Sequence, residues 1–317
     1  MLYFVTHPEY DIPLPPEHRF PASKFSSLMS YLVQEKLTEG VRLIFPNPVS
    51  QQDLARVHDS QYINAVAEGT LDASALRLLG LPWSPQLARR SFLAPGGTYL
   101  AARKAQAHGL ACHAAGGTHH AHHSYGAGFC IFNDLAYAAT RLIDRGEART
   151  VLILDADVHQ GDGTARILKG EAGIFTCSLH CGKNYPTRKA ESDLDVDIPR
   201  GSGDEAYLSI MHDTLGQIMS KMTPDLVLYD AGVDVHRDDA LGWLDLSDEG
   251  ILARDDMVLD WFCRRGIPVA TVIGGGYSPD GTVLAARHGL IFRAARTVYT
   301  RRLSAGKGSV EAASRSV

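Results

Sequence analysis

Residues 151–163 read Val-Leu-Ile-Leu-Asp-Ala-Asp-Val-His-Gln-Gly-Asp-Gly. A short unbroken apolar run of this kind suits a strand buried on both faces, as found inside a parallel sheet. The run gives way after Leu154 to small and polar residues, so Asp155, Asp157, His159 and Asp162 stand at or just past the strand's carboxyl end. Two residues apart in extended chain, Asp157 and His159 point to the same side and can reach one ion. A lone acidic residue at a strand end is commonly a helix N-cap. Three aspartates and a histidine in one short string exceed what a cap needs.

Outward from this run, similar apolar runs occur at Leu2–Val5, Val41–Phe45, Ile174–Leu179, Leu226–Tyr229 and Val269–Ile273. Between them lie amphipathic stretches of helical length, the clearest at Gln86–His108, Leu135–Arg145, Glu205–Met222, Asp248–Arg265 and Thr282–Arg301. The alternation predicts an α/β fold with a parallel sheet covered on both faces and right-handed crossovers. With no repeat and no interdomain linker, residues 1–303 read as a single domain, and the small, polar stretch 304–317 as a frayed tail.

Ligands in such sheets bind outside the carboxyl ends of the strands. Four loops there carry nearly all the unusual polar residues: 155–163, Asp230–Asp234, Gly274–Tyr277, and Gly-Gly-Thr-His-His-Ala-His-His-Ser-Tyr-Gly-Ala-Gly-Phe-Cys at 116–130. Asp234 can complete a set with Asp157 and His159. Two carboxylates and an imidazole with one position left open suit a catalytic Zn²⁺ or Fe²⁺. His119 and His120 are candidates for the base, since neutral imidazole is matched to neutral pH. Asp155 and Asp162 are free to hold their second nitrogens. His122 and His123 read as a solvated polar turn. Tyr277, after three glycines, can place a phenol where an oxyanion develops. Gly201, Gly203 and Ala206 fit a nucleotide pattern formally but read as a plain helix start.

Composition sets limits. Hydrophobic residues at 45% and charged residues at 21% of 317 describe a folding chain with a core. A net charge of −5 gives no footprint for nucleic acid. The N-terminus does not read as a signal peptide, and no apolar run has membrane-spanning length. Five cysteines without a CxxC pair are expected to be buried thiols in a reducing cytoplasm.

The motifs GGTHHAHHSYGAGFCIFND, DADVHQGDG, YDAGVDVHRDDALG and GGGYS, in that order from 116 to 278, resemble those of the zinc-dependent histone deacetylase family. HRFPASKF and RVHDSQYINAV near the N-terminus are similar to it too, so the likeness covers nearly the whole chain. The resemblance implies the arginase/deacetylase fold: a single three-layer α/β domain with a mostly parallel sheet of about eight strands. It also implies hydrolysis of an acylated lysine in protein or peptide, or of an acylated small amine. By the same resemblance Asp157, His159 and Asp234 would hold Zn²⁺. His120, oriented by Asp162, would be the general base, and His119, oriented by Asp155, its electrostatic partner. Tyr277 would polarise the scissile carbonyl. Gly128 and Phe129 would line the substrate passage. A structural K⁺ would use Asp155, Asp157, His159, Ser178 and Leu179.

Gln160 stands where the family usually has a second histidine, and Asp239-Ala240-Leu241-Gly242 where it has DPLG. Tyr185 lies near the position of the second aromatic wall. Gln160 together with the HRFP start looks more like class IV and bacterial relatives, which favours longer acyl chains or small acylated amines over histones. Two other readings compete: a binuclear manganese ureohydrolase, for which the sequence shows no second full ligand set, and a catalytically weak acyl-lysine binder.

Overall fold

The computed structural model describes residues 1–314, with side chains through Leu303. The tail expected over 304–317 falls largely outside these side chains, and residues 315–317 lie outside the described residues. In chain order the elements are β1 Leu2–Val5, α1 Lys24–Gln34, β2 Val41–Ile44, α2 Gln51–Leu54, α3 Ser60–Glu68, α4 Ala73–Leu79, α5 Pro85–His108, β3 Leu110–His113, α6 Asp134–Asp144, β4 Val151–Asp155, α7 Asp162–Ile167, β5 Ile174–Cys181, β6 Leu194–Ile198, α8 Asp204–Lys221, β7 Leu226–Asp230, α9 Asp248–Cys263, β8 Val269–Val272 and α10 Gly281–Ser314.

The strands form one eight-stranded sheet in the order β2-β1-β3-β8-β7-β4-β5-β6, with every pairing parallel. The central strands β3, β4, β7 and β8 are buried along their whole length. That fits their unbroken apolar runs, since helices must cover both faces. α1, α10, α9 and α8 pack side by side, and α5 packs on α6. The helix ends follow local chemistry. Ser84 accepts from the Leu87 N–H, Pro85 sits at the first helical position, and Gly109 closes α5 in a left-handed conformation. Ser247 caps α9 through the Gly250 N–H.

The eight parallel strands match the fold expected from the resemblance, whereas apolar runs alone give six. β6 escapes that count because it alternates, with Asp195 and Asp197 exposed on an edge strand. β3 is the short stretch leading into the histidine loop. The short helices α2, α3, α4 and α7 carry too few turns for a clear helical period, and α1, as long as α6, is not among the stretches read from the sequence.

Candidate active site

β3, β8, β7 and β4 are consecutive in the sheet. The four polar loops therefore leave neighbouring strands at one end and converge. The last residue of β4, Asp155, pairs in register with Asp230 on β7 and with Ser178 on β5. A polar row thus crosses the end of an otherwise apolar sheet.

Beyond that row, Asp157, His159 and Asp234 offer ligand atoms that all lie within 4.8 Å of one another. His159 Nδ1 is 3.1 Å from both Asp157 Oδ1 and Asp234 Oδ2. Burial opposes charge on His159, but its hydrogen bonds to the two carboxylates outweigh it and push its pKa up to about 10. Asp234 rises to about 7 through burial and then the charge of Asp157. Burial also works against Asp157, yet His119 and His159 hold it well below the usual carboxylate range. Two carboxylates buried this close repel each other, and the proton on His159 offsets that repulsion, a role a bound cation would take over when the imidazole is neutral. Gly275 donates to Asp157 Oδ2 at 2.7 Å, and a Cβ there would run into Asp234 Oδ2 and Asp157 Oδ2. The open side of the donor set exists because this residue is glycine.

The backbone carrying these ligands is tied from below. Arg254 on α9 is fully buried and donates through Nη1 to the carbonyls of Ala156 at 3.2 Å and Gly232 at 2.8 Å. Those residues lie just ahead of Asp157 and Asp234. Asp255 lies 3.0 Å from the guanidinium and accepts from Tyr229 Oη at 2.7 Å. Sequence reasoning gave Arg254 no role, since nothing in SDEGILARDD distinguishes a buried arginine from a solvated one.

The two expected histidine–aspartate pairs are both present. His119 Nδ1 is 2.7 Å from Asp155 Oδ2, and His120 Nδ1 is 2.9 Å from Asp162 Oδ1. Burial lowers the pKa of His120 to about 3, with the charge of His119 adding to the effect, so its imidazole is neutral. For His119 burial acts the same way, but Asp155 and Asp157 outweigh it and hold it well above the ordinary value. Gly128 has φ of +53°, and a Cβ there would lie 2.6 Å from His120 Cδ2. The motif FND finishes the loop: Asp134 accepts from the Thr118 N–H at 2.7 Å, and Asn133 Nδ2 donates to Ala121 O at 3.2 Å.

His122 corrects the reading of a solvated turn. It is buried, its Nε2 lies 3.2 Å from Asp162 Oδ2, and Tyr125 stacks on its ring at 4.3 Å. Asp162 therefore serves His120, His122 and Arg166 together. His123 is exposed and bonds the Val57 carbonyl. A second correction concerns Asp230. It joins His119 and Asp155 in another group with ligand atoms within 4.8 Å, although the sequence showed no further set. Neither oxygen of Asp230 has a hydrogen-bond partner among the described residues. Burial, then Asp155, holds its carboxyl well above the usual range.

Above His120 and His159 opens a cleft lined by Gly128, Phe129, Tyr185, Leu241 and Tyr277. Tyr185 stands edge-on to His120 at 4.8 Å, and the rings of Phe129 and Tyr277 are 5.8 Å apart. Burial, then Asp157 and Asp234, keeps the Tyr277 phenol well above its ordinary pKa, so it is a donor. Asp239 fixes the loop by accepting from the N–H groups of Tyr277 and Leu241 at 2.7 and 2.8 Å. Gln160 faces away from the cleft and bonds the N–H and carbonyl of Ala190 and Asp195 Oδ1. Ser178 Oγ is 3.0 Å from His180 Nδ1, and Leu179 follows it on β5.

A second, internal cavity borders His119, His120 and Tyr277 and is lined by Lys24 and Arg90. Both are buried, and neither forms an ion pair among the described residues. Lys24 Nζ donates to Gly274 O at 3.0 Å, and burial, then Arg90, lowers its pKa to about 8. The Arg90 guanidinium lies 4.6 Å from the Phe25 ring centre. The sequence pointed to neither cation, because both sit among the apolar residues of FPASKF and ARRSF.

A family model described as the histone deacetylase domain matches residues 18–290. An uncharacterized protein of Picosynechococcus sp. is 46% identical over 295 residues, covering 93% of this chain and 98% of its own. Histone deacetylase 2 of Arabidopsis thaliana is 29% identical, with 82% of this chain and 70% of that protein covered. A probable deacetylase of Archaeoglobus fulgidus is 28% identical, with 90% and 84% covered. In fold the chain is similar to the HDA15 HD domain, with a TM-score of 0.75, 22% identity, and coverage of 96% and 93%.

Proposed function

The chain belongs to the histone deacetylase family, and from that premise we propose that it hydrolyses the amide of an acylated lysine or related acylated amine with a metal held by Asp157, His159 and Asp234. The observation that carries this reading is the convergence, within one buried site, of that donor set, the His120–Asp162 pair and the Tyr277 phenol. Zn²⁺ suits two carboxylates and an imidazole, and Fe²⁺ is accepted by the same donors. When bound, the ion would supply Lewis-acid activation of water and carbonyl.

The protein's own groups supply the rest. His120, neutral and fixed through Nδ1 by Asp162, presents Nε2 to take a proton from the attacking water and return it to the leaving amine. His119, held protonated by Asp155, puts positive charge beside the developing oxyanion. Tyr277 donates its hydroxyl to that same oxygen. Phe129 and Tyr185 flank the acylated side chain and exclude water, while Gly128 leaves room beside His120. The buried cations Lys24 and Arg90 can receive the carboxylate released into the cavity behind the site. Asp155 and Ser178, side by side in the sheet, with the backbone of Asp157, His159 and Leu179, are the groups that would hold a structural K⁺.

The test is a panel of acyl-lysine peptides of increasing chain length, together with acetylated polyamines, assayed with and without a hydroxamate chelator. Turnover abolished by the chelator is expected; a rate blind to it would remove the metal mechanism. The group His119, Asp155 and Asp230 favours one second reading, a binuclear site. Two divalent transition-metal ions per chain by metal analysis would support that reading, and one such ion would exclude it.

A further inference from the structure

Resting on the deacylase reading, we propose that the chain selects an acyl-lysine set in an acidic peptide segment, through Arg19 and Arg77 at the mouth of the cleft. The lining of that cleft contains these two arginines and no carboxylate. Both are exposed, and neither has a hydrogen-bond or ion-pair partner among the described residues. They stand on separate segments, Arg19 in the chain before α1 and Arg77 in the last turn of α4, so their placement at one mouth is a product of the fold.

The nearest acidic residues on the same segments form no ion pair with them. Asp72 caps α4, accepting from the Ser74 and Ala75 N–H groups at 2.8 Å, and acts on Arg77 only through space. Glu17 lines an adjoining groove that Arg19 also borders, and it makes no ion pair with Arg19. Asp239, close to the rim, is taken up by three backbone N–H groups. Positive charge is reinforced at Trp243, an exposed rim residue, where the Arg200 guanidinium lies 4.7 Å from the ring centre.

The chain's net charge of −5 repels anions at long range, so the arginines act locally, within a Debye length of about 8 Å at physiological salt. They stand at the rim and away from the reacting bond, which places the effect in KM with kcat little changed. A cationic polyamine meets like charge at the same mouth and is disfavoured.

The experiment compares peptides carrying one acetyl-lysine between paired Asp, Ala or Lys residues, with an acetylated polyamine as a fourth substrate. At low salt the acidic peptide is expected to exceed the neutral one in kcat/KM by about 3- to 10-fold, with the gap shrinking as salt rises. In the Arg19→Glu, Arg77→Glu double variant the order of acidic and basic peptides should reverse. Equal rates for the three peptides, a preference for the basic one or the polyamine, or an unchanged order in the variant would overturn the proposal. No turnover of any substrate by folded, metal-loaded protein would instead overturn the deacylase reading, and this inference with it.

Discussion

Tyr277 and His122 show how far one side chain's meaning depends on its neighbours. Tyr277 was legible because a phenol after three glycines has little structural purpose. Tyr277→Phe removes only the hydroxyl, and kcat is expected to fall by roughly 10²- to 10³-fold with metal content retained. An unchanged kcat would show that the phenol does not touch the developing charge. His122 was not legible, since two adjacent histidines in a polar loop carry no sign of which one is buried. Its bond to Asp162 stiffens the carboxylate that orients His120. His122→Phe keeps a ring against Tyr125 but removes the donor, and kcat should drop about tenfold with KM nearly constant, the scale of one bond to a charged group. Partial rescue by His122→Gln, whose amide nitrogen stands near the place of Nε2, would tie the loss to the hydrogen bond; equal loss in both would tie it to packing.

At the scale of elements, the strands were read from their apolar runs and the long helices from their amphipathic period. The ties between elements were not. Arg254 illustrates this, because a residue on α9 holds carbonyls that precede the candidate ligands Asp157 and Asp234 on two strand ends. Arg254→Met leaves Asp255 buried without its cation, and about 3 to 5 kcal/mol of stability should be lost, visible as a lower urea midpoint. Arg254→Lys keeps the charge but cannot span two carbonyls and a carboxylate with one ammonium. For that variant a 10- to 100-fold weaker Zn²⁺ affinity is expected by competition with a chromophoric chelator. Wild-type affinity would show that the loops hold their shape unaided.

For the molecule as a whole, buried neutral histidines set its response to acid. His58 bonds the His122 carbonyl and accepts from the Asn133 N–H, and burial lowers its pKa to about 4. His113 lies between Tyr10 Oη and Thr98 Oγ1, and burial, then Arg90, lowers it to about 3. Unfolded, each would titrate near 6.5, so below that pH the unfolded chain binds protons that the native state refuses. The stability they contribute is complete above about pH 6.5 and is lost as pH falls toward 4 and 3, by up to about 1.4 kcal/mol per pH unit for each histidine. Through these two groups urea midpoints should therefore fall steeply between pH 6.5 and 5. A flat profile down to pH 4.5 would mean that both histidines are accessible to protons in the native state.

The parallel α/β layout, the four loops that matter and the grouping of Asp157, Asp234 and His159 were legible in the chain, while the pairing of Asp155 with His119 and Asp162 with His120 came from the family resemblance. The legible features rest on local signals: apolar runs, their abrupt ends, and polar residues too dense for caps. Packing alone shows that His122 is buried on Asp162, that Asp230 has no hydrogen-bond partner among the described residues, that Lys24 and Arg90 share a cavity behind the site, and that Arg19 and Arg77 meet at its mouth. Each of these depends on the strand order β3-β8-β7-β4 and on helices packed across it. That order is set by burial of the whole sheet, and no stretch of sequence encodes it locally.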